Sequence, residues 1–104
     1  NITYNNLNSL DPNQFIQLEN LKSLNVDQNY VKILKSNGLK TMKNISYLNL
    51  KENLISFIEK NAFSGLENNL HNLDLSENKL TNIKRFYFEN LLGLTSLILM
   101  RNQL

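Results

Sequence analysis

Leu70–Leu80, LHNLDLSENKL, sets aliphatic residues at Leu70, Leu73, Leu75 and Leu80 and an asparagine at Asn78, in the frame L-x-x-L-x-L-x-x-N-x-L. The frame recurs upstream as Ile45, Leu48, Leu50, Asn53, Ile55 and as Leu21, Leu24, Val26, Asn29, Val31. Downstream it returns as Leu94, Leu97, Leu99, Asn102, Leu104, and a half copy, Ile2, Asn5, Leu7, opens the chain. The asparagines Asn5, Asn29, Asn53, Asn78 and Asn102 stand 24, 24, 25 and 24 residues apart. A step held this closely marks stacked coils: no unit buries its own apolar face, and the core exists only between neighbours.

Each position in the frame has a physical task. The alternation in L-x-L-x is that of a strand, so Leu73 and Leu75 face inward while Asn72, Asp74 and Ser76 face out. Strands are expected near 23–27, 47–51, 72–76 and 96–100. Crossover connections make the sheet parallel, with coils spaced by about one strand width, ~4.8 Å. The asparagine suits the turn that follows, because its amide both donates and accepts and so satisfies backbone groups buried between coils. The five asparagines are expected to form one inward ladder. Leu7, Val31, Ile55, Leu80 and Leu104 form a second, and Leu10, Leu34, Ile58 and Ile83 a third. Phe15, Leu39, Phe63 and Phe88 fill the far side, and Leu18, Met42, Leu66 and Leu91 close each coil.

Between strands the chain has little length to spare, so the returns are expected to be loops and short helical turns. Asp11-Pro12 marks a turn, and Phe15-Ile16 with Leu18 suggests a helical one. Ser36-Asn37-Gly38 reads as a turn with one residue at positive φ. The residue that lengthens one step to 25 falls at Glu67-Asn68-Asn69, in a loop before Leu70.

Composition narrows the function classes. With 104 residues, 41% hydrophobic and 19% charged, the chain has the makings of one soluble repeat domain. A net charge of +2 with scattered lysines is too mild for a nucleic-acid stripe, and no nucleic-acid partner is expected. No run of about 18 apolar residues is present to cross a bilayer, and no leader is visible at the start.

These residues resemble the extracellular "typical" class of leucine-rich repeat proteins, whose 24-residue unit ends in N-x-L-x-x-L-x-x-x-x-F-x-x-L. Adhesion proteins, Toll-like receptors, matrix proteoglycans and growth-factor carriers share that unit. The run FSGLENNLHNLDLSENKL is similar to the version in arthropod cell-surface proteins such as chaoptin. The resemblance implies an α/β-type solenoid, a right-handed superhelix with a parallel sheet on its concave face and loops or short helical turns on its convex face. It also implies export, to an extracellular or cell-surface location. Such arrays carry cysteine-stapled caps, and this chain has no cysteine. It is therefore expected to be internal coils of a longer array: a partial repeat over 1–20, repeats 21–44, 45–69 and 70–93, and a partial repeat 94–104. Two sequons, at Asn44 and Asn1, agree with export, and Asn44 is the better placed for a glycan.

The outward positions align in columns. One reads Thr3, Asp27, Lys51, Ser76, Met100, and the next Tyr4, Gln28, Glu52, Glu77, Arg101. Others read Asn1, Asn25, Asn49, Asp74, Ile98 and Ser23, Tyr47, Asn72, Ser96. The candidate partner-binding set is Asp27, Gln28, Tyr47, Asn49, Lys51, Glu52, Asn72, Asp74, Glu77, Ile98, Met100 and Arg101. Ile98 and Met100 replace polar residues and should make an apolar patch. Tyr87, between Phe86 and Phe88, should lie over its coil or make a second patch on the convex side.

Catalysis is not expected, because the Glu52 and Glu77 pair lies on an open sheet where nothing shifts one carboxyl away from the other. Calcium wants more oxygens than this patch supplies, and a lone histidine, His71, without cysteine builds no metal centre. No cofactor is expected. The function expected is non-enzymatic protein recognition by an adhesion protein or receptor ectodomain, or self-association, with an innate-immune Toll-like recognition module as the alternative.

Overall fold

Where leucines alternate with polar residues, the chain runs extended and its leucines meet those of the next coil. The computed structural model describes residues 6–10 and 19–104. Its elements in order are β1 (Ser23–Asn25), β2 (Ile33–Leu34), β3 (Tyr47–Asn49), β4 (Phe57–Ile58), β5 (Asn72–Asp74), a 3-10 turn (Arg85–Tyr87) and β6 (Ser96–Ile98). Strands β1, β3, β5 and β6 form one parallel sheet in that order. Leu24, Leu48, Leu73 and Leu97 lie in register across it. The chain is a leucine-rich repeat solenoid, with its core of stacked aliphatic residues behind this sheet.

The strands are two residues shorter than expected, and in β1, β3 and β5 side chains explain why. The Asn25 Oδ1 accepts from the Asp27 amide (3.1 Å), the Asn49 Oδ1 from the Lys51 amide (2.9 Å) and the Asp74 Oδ1 from the Ser76 amide (2.9 Å). Each of these local turns takes an N–H that would otherwise continue the ladder. Contacts between coils persist beyond the strands, since the Gln28, Glu52 and Glu77 amides donate to the carbonyls of Lys51, Ser76 and Met100.

The asparagine ladder forms as expected. Asn53 donates to the carbonyls of Leu50 (3.0 Å) and Lys51 (3.3 Å) in its own coil and of Val26 (3.1 Å) in the preceding one. Its Oδ1 accepts from the Val31 amide at 3.1 Å. Asn78 repeats this toward Leu75, Ser76 and Leu50, with the Ile55 amide donating to it. Asn29 and Asn102 do the same at either side. Asn29, Asn53 and Asn78 are buried. Asn5, like Phe15, Leu18 and the Asp11-Pro12 turn, lies outside the described residues.

Just before each described ladder asparagine sits a residue at positive φ: Gln28 (57°), Glu52 (54°), Glu77 (54°) and Arg101 (57°). These belong to the turn rather than the strand, which corrects their expected place. Asn37 (φ 59°) supplies the positive φ expected at Ser36-Asn37-Gly38. The extra residue is absorbed where expected: the Leu70 amide reaches back four residues to the Leu66 carbonyl, whereas Ile45 and Leu94 reach back three, to Met42 and Leu91.

The return side holds more sheet than expected. Strands β2 and β4 pair in parallel, Ile33 with Phe57 and Leu34 with Ile58. Residues 81–85 do not extend this sheet and are all exposed. Ile83 is 41% exposed while Leu34 and Ile58 are buried, so its placement on the inward ladder is corrected. Tyr87 occupies the column of Gly38 and Ala62, and its buried ring packs edge-on against Phe57 at 5.9 Å. That bulk stands where the earlier coils have almost none. Leu104, also assigned inward, is exposed.

Candidate functional site

Outward side chains of the four-stranded sheet make one continuous surface, because parallel register holds equivalent positions side by side. Tyr47, Asn72, Ile98, Met100 and Arg101 are exposed. Asp27, Gln28, Asn49, Lys51, Glu52, Asp74 and Glu77 are half-buried. The structure therefore brings the sequence-derived candidates together on one face. Ser76 lines this face as read but is buried there, its hydroxyl donating to the Asp74 Oδ1 at 2.6 Å.

Charge on this face is organised around Lys51. Its ammonium lies 3.4 Å from the Glu77 carboxylate and 3.7 Å from that of Glu52, and Arg101 reaches Glu77 at 3.5 Å. The hydrogen bond with Glu77, and then its charge, hold the Lys51 ammonium above its ordinary value of 10.5. The link is solvated, so it contributes shape and charge to the face more than stability. Asp27 has one enclosed oxygen, Oδ1, that meets no hydrogen-bond donor among the described residues.

At the carboxyl-terminal end the pattern changes. Ile98 stands in the column of Asn25, Asn49 and Asp74, so it has no oxygen to hold the amide two residues on. Ile98 (38%) and Met100 (65%) instead present apolar surface beside the ion pairs, as the sequence led us to expect. A shallow concavity joins the two features, lined by Lys51, Asp74, Ser76, Glu77, Ile98, Met100 and Arg101. A second depression lies on the return side, between Phe63, Phe86, Tyr87 and Leu91 with Lys60 and Glu67. Tyr87 is buried in its coil rather than exposed as a patch.

Sequence reading missed the residues that shape the ends of the strands. Asn25, Asn49 and Asp74 form local turns, for which the signal was a short amide or acid side chain two residues before an outward position. The left-handed residues gave no signal, since Gln28, Glu52, Glu77 and Arg101 are not types that favour positive φ. Asn44 is exposed and its Nδ2 donates to the Glu19 carbonyl at 3.0 Å. Asn1 lies outside the described residues. His71 is exposed, with its Nδ1 2.6 Å from the Asn69 carbonyl oxygen. Among the described residues no group of three acidic, histidine or cysteine side chains is placed to hold a metal, and no helix is long and apolar enough to cross a membrane.

Comparison with known proteins agrees with this geometry. The profile described as Leucine rich repeat matches residues 20–68. No curated protein matches the chain. Among solved structures, the crystal structure of a TLR13–ssRNA13 complex is similar over 98% of this chain, with 31% identity and a TM-score of 0.91. The chain spans 14% of that protein's length. Altogether 82 solved chains match, so these likenesses speak for architecture more than for a particular ligand. The repeat frame, the asparagine ladder, the parallel sheet and both comparisons lead to one conclusion: the chain belongs to the leucine-rich repeat family.

Proposed function

We propose that the chain is a non-enzymatic recognition module, a segment of an extracellular adhesion protein or receptor ectodomain that binds a protein through the face of its four-stranded sheet. The observation that carries this reading is the face itself. Exposed Tyr47, Asn72, Ile98 and Met100 surround a charged centre of Lys51, Glu52, Glu77 and Arg101, all held on a hydrogen-bonded sheet. A partner meeting such a surface pays little for ordering it, and aromatic, methionine and arginine side chains are those enriched at contact surfaces. An open face also gives no enclosure to separate the acidities of two carboxyls, which argues against hydrolytic chemistry. Asn44 fits a glycan site, because its exposed amide keeps one N–H for the Glu19 carbonyl after attachment.

A binding screen against secreted and cell-surface proteins, with the chain itself included, tests this. A partner lost on Tyr47→Ala, Glu52→Ala or Glu77→Ala, and kept on Lys60→Ala, supports the sheet face. A partner indifferent to the first three and lost on the fourth refutes it.

The second reading is a Toll-like innate-immune module, favoured by the likeness to TLR13, which was solved with ssRNA13. Against a nucleic-acid ligand on the sheet face stands its charge: Asp27, Glu52, Asp74 and Glu77 outnumber Lys51 and Arg101. Phosphates gain their affinity from concentrated cations. Salt-dependent binding of a single-stranded RNA oligonucleotide, abolished by Lys51→Ala and Arg101→Ala together, would favour this second reading over the first.

A further inference from the structure

We propose that the partner's contribution at this face is an arginine or lysine side chain, with its aliphatic stem against Ile98 and Met100 and its cation at Asp74. This rests on the reading of the sheet face as the contact surface and names the chemistry that surface selects.

Charge complementarity comes first. The face carries four carboxylates and two cations, whereas the whole chain carries eleven basic and nine acidic residues. The sheet face is thus negative on a chain that is positive overall. Both of its cations are already committed, Lys51 to Glu77 and Glu52 and Arg101 to Glu77. Among the described residues, no cation lies within ion-pair distance of Asp27 or Asp74.

Asp74 is also held ready. Its Oδ1 accepts from the Ser76 amide at 2.9 Å and from the Ser76 hydroxyl at 2.6 Å, which fixes the carboxylate and leaves its second oxygen to an incoming donor. A fixed carboxylate suits the planar donor fork of a guanidinium.

The apolar wall completes the fit. Ile98 and Met100 stand in columns that elsewhere hold Asn25, Asn49, Asp74 and Asp27, Lys51, Ser76, and they border the concavity that Asp74 enters. Apolar surface beside a carboxylate matches a side chain with a methylene stem and a charged tip. A phosphate or an acidic peptide would meet the same carboxylates with repulsion.

The test titrates the whole isotope-labelled chain with an end-capped peptide bearing one arginine between leucines, and with its glutamate analogue, following backbone amides by NMR. The arginine peptide is expected to move the amides of Glu77, Ile98 and Arg101, and the glutamate peptide to leave them in place. Asp74→Asn keeps the acceptor for Ser76, as Asn49 does for Lys51, so the fold is retained. It should weaken the arginine peptide ~3–5-fold, in the range of a solvated ion pair. Ile98→Asn, which restores the residue type of Asn25 and Asn49, should weaken it as well. Unmoved amides with the arginine peptide, or equal affinity for Asp74→Asn, overturn the proposal. Should the glutamate peptide or a single-stranded RNA oligonucleotide move these same amides instead, the sheet face survives as a contact surface and the cation-binding assignment falls. Shifts confined to Lys35 and Lys60, on the return side, sink both.

Discussion

Removing two neighbouring ladder asparagines should cost more than the sum of removing each. In Asn53→Ala, the Val31 amide loses its acceptor at 3.1 Å. The three carbonyls that Asn53 served keep other donors: Val26 has Asn29, Leu50 has Asn78 and Lys51 has the Gln28 amide. One buried N–H is therefore stranded, worth about 1–3 kcal/mol. Asn78→Ala strands the Ile55 amide in the same way, while Leu75 keeps Asn102 and Ser76 keeps the Glu52 amide. Among the described residues the Leu50 carbonyl is served by Asn53 and Asn78 alone, at 3.0 Å each, and its residue is fully buried. The double variant strands that carbonyl too, adding about 1 kcal/mol beyond additivity. Urea unfolding followed by circular dichroism measures all four corners of the cycle. Strict additivity, or single effects no larger than the ~0.5 kcal/mol allowed for a surface control such as Glu52→Ala, would refute the account of what the asparagines do.

Four further outcomes follow from neighbouring features. Asn53→Asp should be less stable than wild type at neutral pH, because a carboxylate there faces the Val26, Leu50 and Lys51 carbonyls with nothing to donate. Its folded pKa is raised, so the loss should appear as pH rises above ~4, the unfolded value, and shrink in acid; a flat urea midpoint across that range contradicts it. Glu52→Val should cost about 1–2 kcal/mol, since a β-branched residue resists the φ of 54°, and Glu52→Gly should lie within ~0.5 of wild type; equal unfolding midpoints for the two would remove the backbone argument. Gly93→Ala should lose about 1–3 kcal/mol, because its Cβ would stand 2.6 Å from the Asn68 carbonyl oxygen; a thermal melt unchanged by the substitution counts against that close approach. Lys51 has a raised folded pKa, so its link to Glu77 should be intact below 10.5, the ordinary value, and lost as pH rises beyond it through the folded one; titration of its side chain by NMR should show a larger rise in wild type than in Glu77→Gln, where Glu52 and Asp74 still act on it.

Much of the fold was legible because its determinants are periodic. Leu48, Asn53 and Ile55 recur with their neighbours at a fixed step, and each recurrence is set by the same packing against the coil before. What escaped the sequence depends on bulk or on φ at single residues. Ile83 occupies the position of Leu34 and Ile58 yet is exposed, in the return where Tyr87 stands in a column of small residues. The turn residues Gln28 and Glu52 take positive φ through the surrounding hydrogen bonds and not through their own preference. The sheet-face candidates were legible as a face, since register alone places them. That Ser76 is buried on that face was not, because its hydroxyl is held by the acidic neighbour at Asp74.

Stability and recognition are separated here by single steps along the chain, and that separation is what lets such a face be specific. Asn53 is buried and satisfies backbone groups, while Glu52, directly before it, points to solvent and pairs with Lys51. Leu73 fills the core while Asn72 and Asp74 beside it face out. Substitution at Tyr47, Lys51, Glu52 or Ile98 thus changes what the surface attracts without stranding a buried group. The exception is Asp74, which both ends its strand through Ser76 and carries the free carboxylate oxygen. A position with both duties accepts asparagine for the first and requires aspartate for the second. Asp74→Asn should therefore leave the unfolding midpoint within ~0.5 kcal/mol of wild type while altering only binding. A loss of stability as large as that of Asn53→Ala would mean that the charge of Asp74 serves the fold and not a partner.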